Sequence, residues 1–186
     1  MGHKIILSEE QIRKFAADLG AKITERVKND EKPPVVVGVL KGAVPFMMDL
    51  IKNIKCPVYM DFIHVVSYEG TSSTGKVQLR KDTSFDCEGR TVIIVEDVID
   101  SGASFAFLEK HFMANNPKQI ITCVMVDKKF ARKVPFEVDY AGYTMHEDAF
   151  LIGYGLDYNE LDRNVPYIYE ATEEDVKRMD EINKTR

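Results

Sequence analysis

From Ile12 onward, apolar residues recur at Phe15, Ala16, Leu19 and Ile23, the spacing of three and four that one face of a helix requires. Ser8 stands at an N-cap position, and Gln11 three residues later completes a capping box. A first helix is therefore predicted to open just after Ser8. Asn29-Asp30-Glu31-Lys32-Pro33-Pro34 breaks it. Val35 to Leu40 is then an uninterrupted apolar run rich in β-branched residues, the pattern of a strand buried on both faces. Lys41-Gly42 turns the chain, and Pro45 suits the first turn of a second helix that continues through Met47, Met48 and Ile51. Val58 to Val66, Thr91 to Val95 and Gln119 to Val126 read as further strands, with shorter extended pieces around Tyr140 and Phe150. A helix carrying Phe105, Leu108 and Phe112 falls between the last two long strands, and a terminal helix is expected from Thr172, docked by Val176 and Met179. Ser67 to Lys76 is polar, contains glycine and lacks apolar periodicity, which predicts a mobile loop.

Strands alternating with helices imply an α/β fold with a mostly parallel central sheet flanked by helices. In such sheets ligands bind beyond the carboxyl ends of the strands, so the segments following the strands hold the candidate chemistry. The 186 residues suit a single domain, 1–186, and 45% hydrophobic with 30% charged residues argues against both a disordered chain and a membrane protein. With 25 basic and 30 acidic residues the net charge is −5, so no broad basic field exists to hold nucleic acid. Cys56, Cys87 and Cys123 are far apart and include no CxxC spacing, which argues against a disulfide framework or a zinc site and fits a reducing, cytoplasmic setting. His3, His64, His111 and His146 are scattered and are expected to be structural or solvated. No long apolar segment near Met1 suggests a secretory leader.

The densest chemistry lies from Val92 to Ser104, reading VIIVEDVIDSGAS. A buried strand ends in adjacent carboxylates, Glu96 and Asp97, with Asp100 three residues beyond the second. A Ser101-Gly102-Ala103-Ser104 turn then opens a helix. Backbone N–H groups at a helix start, a glycine that permits close approach and two hydroxyls make a cradle suited to a phosphate monoester. The paired carboxylates suit the hydroxyls of a diol and can assist a metal. The same residues also suit an acidic strand-to-helix turn capped by Ser101 or Ser104. Neither a P-loop nor a dinucleotide fingerprint is present.

VIIVEDVIDSGAS resembles the phosphoribosyl-diphosphate-binding motif of type I phosphoribosyltransferases. Three further segments, in order Leu40-Lys41-Gly42-Ala43, Ser67-Tyr68, and Phe150-Leu151-Ile152-Gly153-Tyr154-Gly155-Leu156-Asp157-Tyr158-Asn159-Glu160 with Arg163, narrow the resemblance to the hypoxanthine-guanine phosphoribosyltransferases. The resemblance implies the type I phosphoribosyltransferase fold, with a small hood built from the terminal segments and a mobile lid over about 67–76. It implies transfer of a 5-phosphoribosyl group from phosphoribosyl diphosphate to hypoxanthine or guanine, with pyrophosphate leaving and Mg²⁺ as cofactor.

Residue by residue, the resemblance assigns Asp100, Ser101, Gly102, Ala103 and Ser104 to the 5-phosphate and Glu96 and Asp97 to the ribose hydroxyls. Asp100 is the implied general base toward a purine ring nitrogen. Lys41, Gly42, Ser67, Tyr68 and Arg163 are assigned to pyrophosphate, with a cis Leu40–Lys41 peptide expected. Lys128, with Lys129 as its neighbour, is the match for the donor to the exocyclic purine oxygen. Phe150 is assigned to stacking on the base and Leu151 to its edge through the backbone. Asp157 belongs to the base and metal region, and Mg²⁺ is assigned to Asp157 with Glu96 and Asp97. Ala103 and Ala43 depart from the usual family Lys and Gly. A homodimer or homotetramer is implied, with no nucleic-acid or membrane partner. A regulator that binds phosphoribosyl diphosphate or a nucleotide without turnover is the competing class, and xanthine or another base the competing substrate.

Overall fold

The computed structural model describes residues 3–68 and 76–185. Its strands are β1 (Lys4–Leu7), β2 (Val35–Val39), β3 (Tyr59–Tyr68), β4 (Lys76–Lys81), β5 (Thr91–Ile99), β6 (Gln119–Lys128), β7 (Tyr140–Met145), β8 (Leu151–Ile152) and β9 (Ile168–Glu170). The helices are α1 (Glu9–Val27), α2 (Val44–Ile51), α3 (Ala103–Met113) and α4 (Glu173–Asn183). Six strands form one sheet in the order β4-β3-β2-β5-β6-β7. Every neighbour in it is parallel except β4, which pairs antiparallel with β3.

Why the central strands read as unbroken apolar runs is clear from the two layers around them. Side chains alternate between sheet faces along a strand. Val36, Ile93, Val95, Ile121 and Cys123 meet Ile12, Ala16 and Leu19 of α1 and Phe46, Met47 and Leu50 of α2 in one core. Val35, Val37, Val92, Ile94 and Val124 meet Phe105, Leu108 and Phe112 of α3 in a second core on the opposite face. The capping box at the start of α1 is complete, with Gln11 N donating to Ser8 Oγ at 3.2 Å and Ser8 N to Gln11 Oε1 at 2.9 Å. The same device opens α4, where Thr172 and Asp175 cap each other. Met179 of α4 is buried with Ile152 and Tyr169, whereas Val176 is only half-buried.

Three strands, β1, β4 and β9, go beyond the sequence pattern, whereas β8 is the short extended piece expected around Phe150. β1, β8 and β9 form a second sheet in the order β1-β9-β8, joining both terminal segments. At 4, 2 and 3 residues these strands are too short for alternation to register. The segment expected to be a loop over Ser67 to Lys76 is corrected at its ends: Ser67 and Tyr68 belong to β3 and Lys76 to β4, paired Ser67↔Val77 and Tyr68↔Lys76. Residues 69–75 of that expected lid lie outside the described residues. The polar alternation of β4, Lys-Val-Gln-Leu-Arg-Lys, reflects an edge strand.

The order of strands reverses about β2: the next strand in sequence, β3, lies on one side, and β5 on the other. A crevice beyond the carboxyl ends of β2 and β5 is the expected ligand position in this topology.

Candidate active site

Register brings the candidate residues together. β2 pairs Gly38 with Val95, so the Lys41-Gly42 turn leaves the sheet beside Glu96 and Asp97. β5 pairs Ile99 with Asp127, so Asp100 emerges next to Lys128. Lys128 Nζ lies 3.4 Å from Asp100 Oδ1 and donates to Ala149 O at 3.1 Å, directly before Phe150. Lys129, the neighbouring alternative, pairs instead with Glu137 at an exposed position.

The turn from Asp100 to Ser104 forms the mouth of a 370 Å³ cavity lined by Glu96, Asp100, Ser101, Gly102, Ser104 and Lys133. Gly102 is left-handed at φ 84° and caps α3; a Cβ there would meet Val134 O at 2.9 Å. Only glycine adopts that conformation freely. Ser101 Oγ accepts from Ala103 N at 3.3 Å, and Ser101 O accepts from the amides of Lys133 and Val134. The far wall is braced by Arg132, which donates to Ile99 O and Asp100 O and pairs with buried Asp127. Arg132 and Lys133 escaped the motif reading, although the basic run from Lys128 to Lys133 could have signalled a second wall.

Carboxylate electrostatics at the strand end are unusual. Glu96 is buried, and burial followed by the charges of Asp97 and Asp100 pushes its pKa well above the ordinary carboxylate range. Asp97 is raised to about 6, chiefly by burial. Bonds from its own amide and that of Val98, and the Arg163 charge, pull the other way, while Asp157 adds to the rise. Such groups are short of positive charge.

The third group of residues comes from the loop after β8. Asp157 Oδ1 pairs with Arg163 Nη2 at 2.8 Å, and Asp157 Oδ2 accepts from Glu160 N at 2.8 Å. Arg163 Nη1 donates to Gly155 O at 2.7 Å, while its buried Nε has no partner among the described residues. Glu160 reaches across to Lys41 Nζ at 2.9 Å. Close backbone approach locks the same assembly: a Cβ on Gly42 would sit 2.0 Å from Asp97 Oδ2, and one on Gly155 would sit 1.9 Å from Gly42 O. Tyr154 ties the loop to α2 through a 2.7 Å bond to Asp49. The Leu40–Lys41 peptide is cis. Glu160 is a site residue for which the sequence offered no role, though it lay inside the most specific motif.

Phe150 is 49% exposed and edge-on to Tyr158, with ring centroids 5.9 Å apart. It does not line the 370 Å³ cavity, but borders an apolar hollow with Tyr158 and Val176. Its link to the other candidates runs through Ala149 and Lys128. Leu151 is buried in β8. Ser67 and Tyr68 end β3, the strand beside β2, so their backbone lies at the same edge of the sheet.

Among the described residues no three His, Cys, Asp or Glu side chains cluster as a ready-made metal site. The residues nonetheless fit a hard cation held mainly by substrate oxygens: Asp157 is only partly buried, Glu96 has no compensating positive charge, and the Arg163 charge only partly offsets the burial of Asp97.

A buried parallel sheet whose strand ends gather a glycine-bearing strand-to-helix turn, buried carboxylates and a pair of cations, Lys41 and Arg163, points to a class, and known proteins of that class match this chain. The model of the phosphoribosyl transferase domain matches residues 8–159. Hypoxanthine-guanine phosphoribosyltransferase of Bacillus subtilis (strain 168) is 43% identical over 166 residues, 89% of this chain and 91% of the relative. The protein of the same name from Aquifex aeolicus (strain VF5) is 40% identical over 167 residues, 89% of this chain and 93% of the relative. Among solved structures, hypoxanthine phosphoribosyltransferase from Staphylococcus aureus aligns with TM-score 0.85 and 38% identity, covering 92% of each chain. The hypoxanthine phosphoribosyl transferase of Trypanosoma cruzi aligns with TM-score 0.89 and 33% identity, covering 96% of this chain and 95% of that one. The chain belongs to the hypoxanthine-guanine phosphoribosyltransferase family of phosphoribosyltransferases.

Proposed function

We propose that this protein transfers the 5-phosphoribosyl group of phosphoribosyl diphosphate to a ring nitrogen of hypoxanthine or guanine. The bond from the anomeric carbon to pyrophosphate breaks, the carbon–nitrogen bond forms, and the purine proton passes to Asp100. The observation that carries this reading is the convergence of three remote stretches: Gly42 touches Asp97, Gly155 touches Gly42, and Asp100 meets Lys128.

The roles follow from the groups available. Amides and hydroxyls of Ser101 to Ser104 hold the 5-phosphate, and Glu96 and Asp97 accept hydrogen bonds from the ribose hydroxyls. Asp100, 55% exposed on its side chain and beside Lys128, is open to a base that Lys128 orients through its exocyclic oxygen. That preference for an oxygen acceptor favours 6-oxopurines over adenine. Phe150 supplies a stacking face and Leu151 a backbone edge. Lys41, Gly42, Ser67, Tyr68 and Arg163 receive the pyrophosphate. Mg²⁺, when bound, neutralises charge on the leaving pyrophosphate, and Asp157 with Glu96 and Asp97 would hold it. A positive anomeric centre must be kept from water. The 67–76 segment is the lid for that purpose in this reading, working in the cytoplasm in a homodimer or homotetramer. No described helix is long and apolar enough to cross a membrane.

The test incubates the protein with phosphoribosyl diphosphate, Mg²⁺ and hypoxanthine, guanine, xanthine or adenine in parallel, following nucleotide formation. Product with the first two supports the reading. No product with either overturns it, and tight binding of phosphoribosyl diphosphate without turnover would identify a regulator instead. Asp100→Asn should lower kcat far more than it weakens phosphoribosyl diphosphate binding; equal losses would remove Asp100 from proton transfer.

A further inference from the structure

Glu160 sits at the centre of the cation pair yet has no partner in the chemistry above. One carboxylate oxygen, Oε2, lies 2.9 Å from Lys41 Nζ and 3.3 Å from Arg163 Nη2. A single anionic oxygen bridging an ammonium and a guanidinium is the arrangement that an oxygen of a bound phosphate would make. The guanidinium is otherwise fixed, since Nη1 is committed to Gly155 O and Nη2 also meets Asp157. Its buried Nε remains without a partner among the described residues, a donor still waiting for an acceptor. Lys41 and Glu160 side chains are 56% and 43% exposed, so their pair is of the weak, exchangeable kind. Glu160 is itself held in place by its amide, which donates to Asp157 Oδ2 at 2.8 Å, and by positive φ of 70°.

We propose that Glu160 is an internal counter-ion of the leaving-group site: it spaces Lys41 and Arg163 while no pyrophosphate is bound and competes with pyrophosphate for them afterwards. Glu160 is thus a positioning residue that also limits how tightly the product is held. This rests on assigning Lys41 and Arg163 to pyrophosphate, and it adds a sign to that assignment. A residue that merely braces the loop would weaken pyrophosphate binding when lost. A competing anion strengthens it when lost.

The experiment measures binding of pyrophosphate in Mg²⁺ by calorimetry to the wild-type protein and to Glu160→Gln, Glu160→Ala and Glu160→Asp, at low and high salt. Removing one negative charge a few ångströms from a bound anion should tighten binding roughly five-fold or more at low salt. The gain should shrink as salt rises, because the partners are exposed. Gln and Ala should both tighten binding, with KM for phosphoribosyl diphosphate falling in parallel, while Asp should stay near wild type. Weaker or unchanged binding in the charge-deleted variants overturns the proposal; Ala provides the reading should Gln fail to fold, and Gln should Ala fail. Failure of the wild-type protein to bind pyrophosphate at all would instead refute the assignment of the site.

Discussion

Replacing Gly42 with alanine puts one methyl group into one of the tightest contacts of the site. The added carbon would stand 2.0 Å from Asp97 Oδ2 and 2.4 Å from Asp97 Cγ. An ordinary carbon–carbon contact needs ~3.5 Å, so the turn and the carboxylate must separate by about 1 Å. Asp97 cannot yield freely, because its carboxylate is bonded by its own amide and that of Val98. The turn cannot retreat either, since Gly42 O lies against Gly155. Overpacking of this kind costs about 1–3 kcal/mol. A displacement of about 1 Å at a reacting site lowers kcat/KM by about 100-fold. Urea denaturation supplies the stability and steady-state kinetics the activity. A double-mutant cycle isolates the cause: in an Asp97→Ala background the clash is gone, and Gly42→Ala should then cost under about 0.5 kcal/mol. An equal cost in both backgrounds would refute the steric reasoning.

Asp61 should show a distinct pH dependence. Burial alone would raise its pKa, but the Ser84 and Phe62 amides and the Ser84 and Thr83 hydroxyls outweigh burial and hold it well below the usual range. A depressed carboxyl stabilises the fold above the unfolded pKa of about 4 and loses that contribution as pH falls below it. Asp61→Asn should therefore cost about 2–3 kcal/mol at neutral pH, and the gap from wild type should close on acidification in denaturation experiments; a pH-independent gap would contradict this. Arg132→Met leaves Asp127 buried without its partner and should cost about 3–5 kcal/mol, whereas adding Asp127→Leu should recover part of that loss on thermal melting. Phe150→Ala removes a stacking face worth about 1–3 kcal/mol, so KM for the purine should rise about 5- to 100-fold while KM for phosphoribosyl diphosphate changes little; matched rises would place Phe150 outside the base pocket.

How much could be read before the fold was known depended on what kind of force positions each residue. The central strands and α1 were legible because burial imposes a regular period, and Ser8 with Gln11 because capping is local. Lys128 and Asp100 could be nominated by motif, but their 3.4 Å approach is a product of the β5–β6 register, which no local pattern encodes. The loop from Gly153 to Asp162 resisted most. Tyr154, Asn159, Glu160 and Asp162 join Gly153 and Gly155 at positive φ, a conformation that ordinary residues adopt only under surrounding constraint. Glu160 gained its neighbours through that conformation, so its identity alone could not reveal them. Arg132 was hidden differently, for it acts on backbone carbonyls, which leave no trace in side-chain sequence.

The pairing of β1 with β9 joins the two most distant strands of the chain. A ribosome releases Lys4–Leu7 ahead of the other described strands, yet its hydrogen-bonding neighbour, Ile168–Glu170, emerges after every strand of the large sheet. Arg163 also emerges late, only a few residues ahead of that neighbour. During synthesis the turn from Asp100 to Ser104 can thus fold on a nascent chain that still lacks Arg163, and β1 waits without its partner until β9 has emerged.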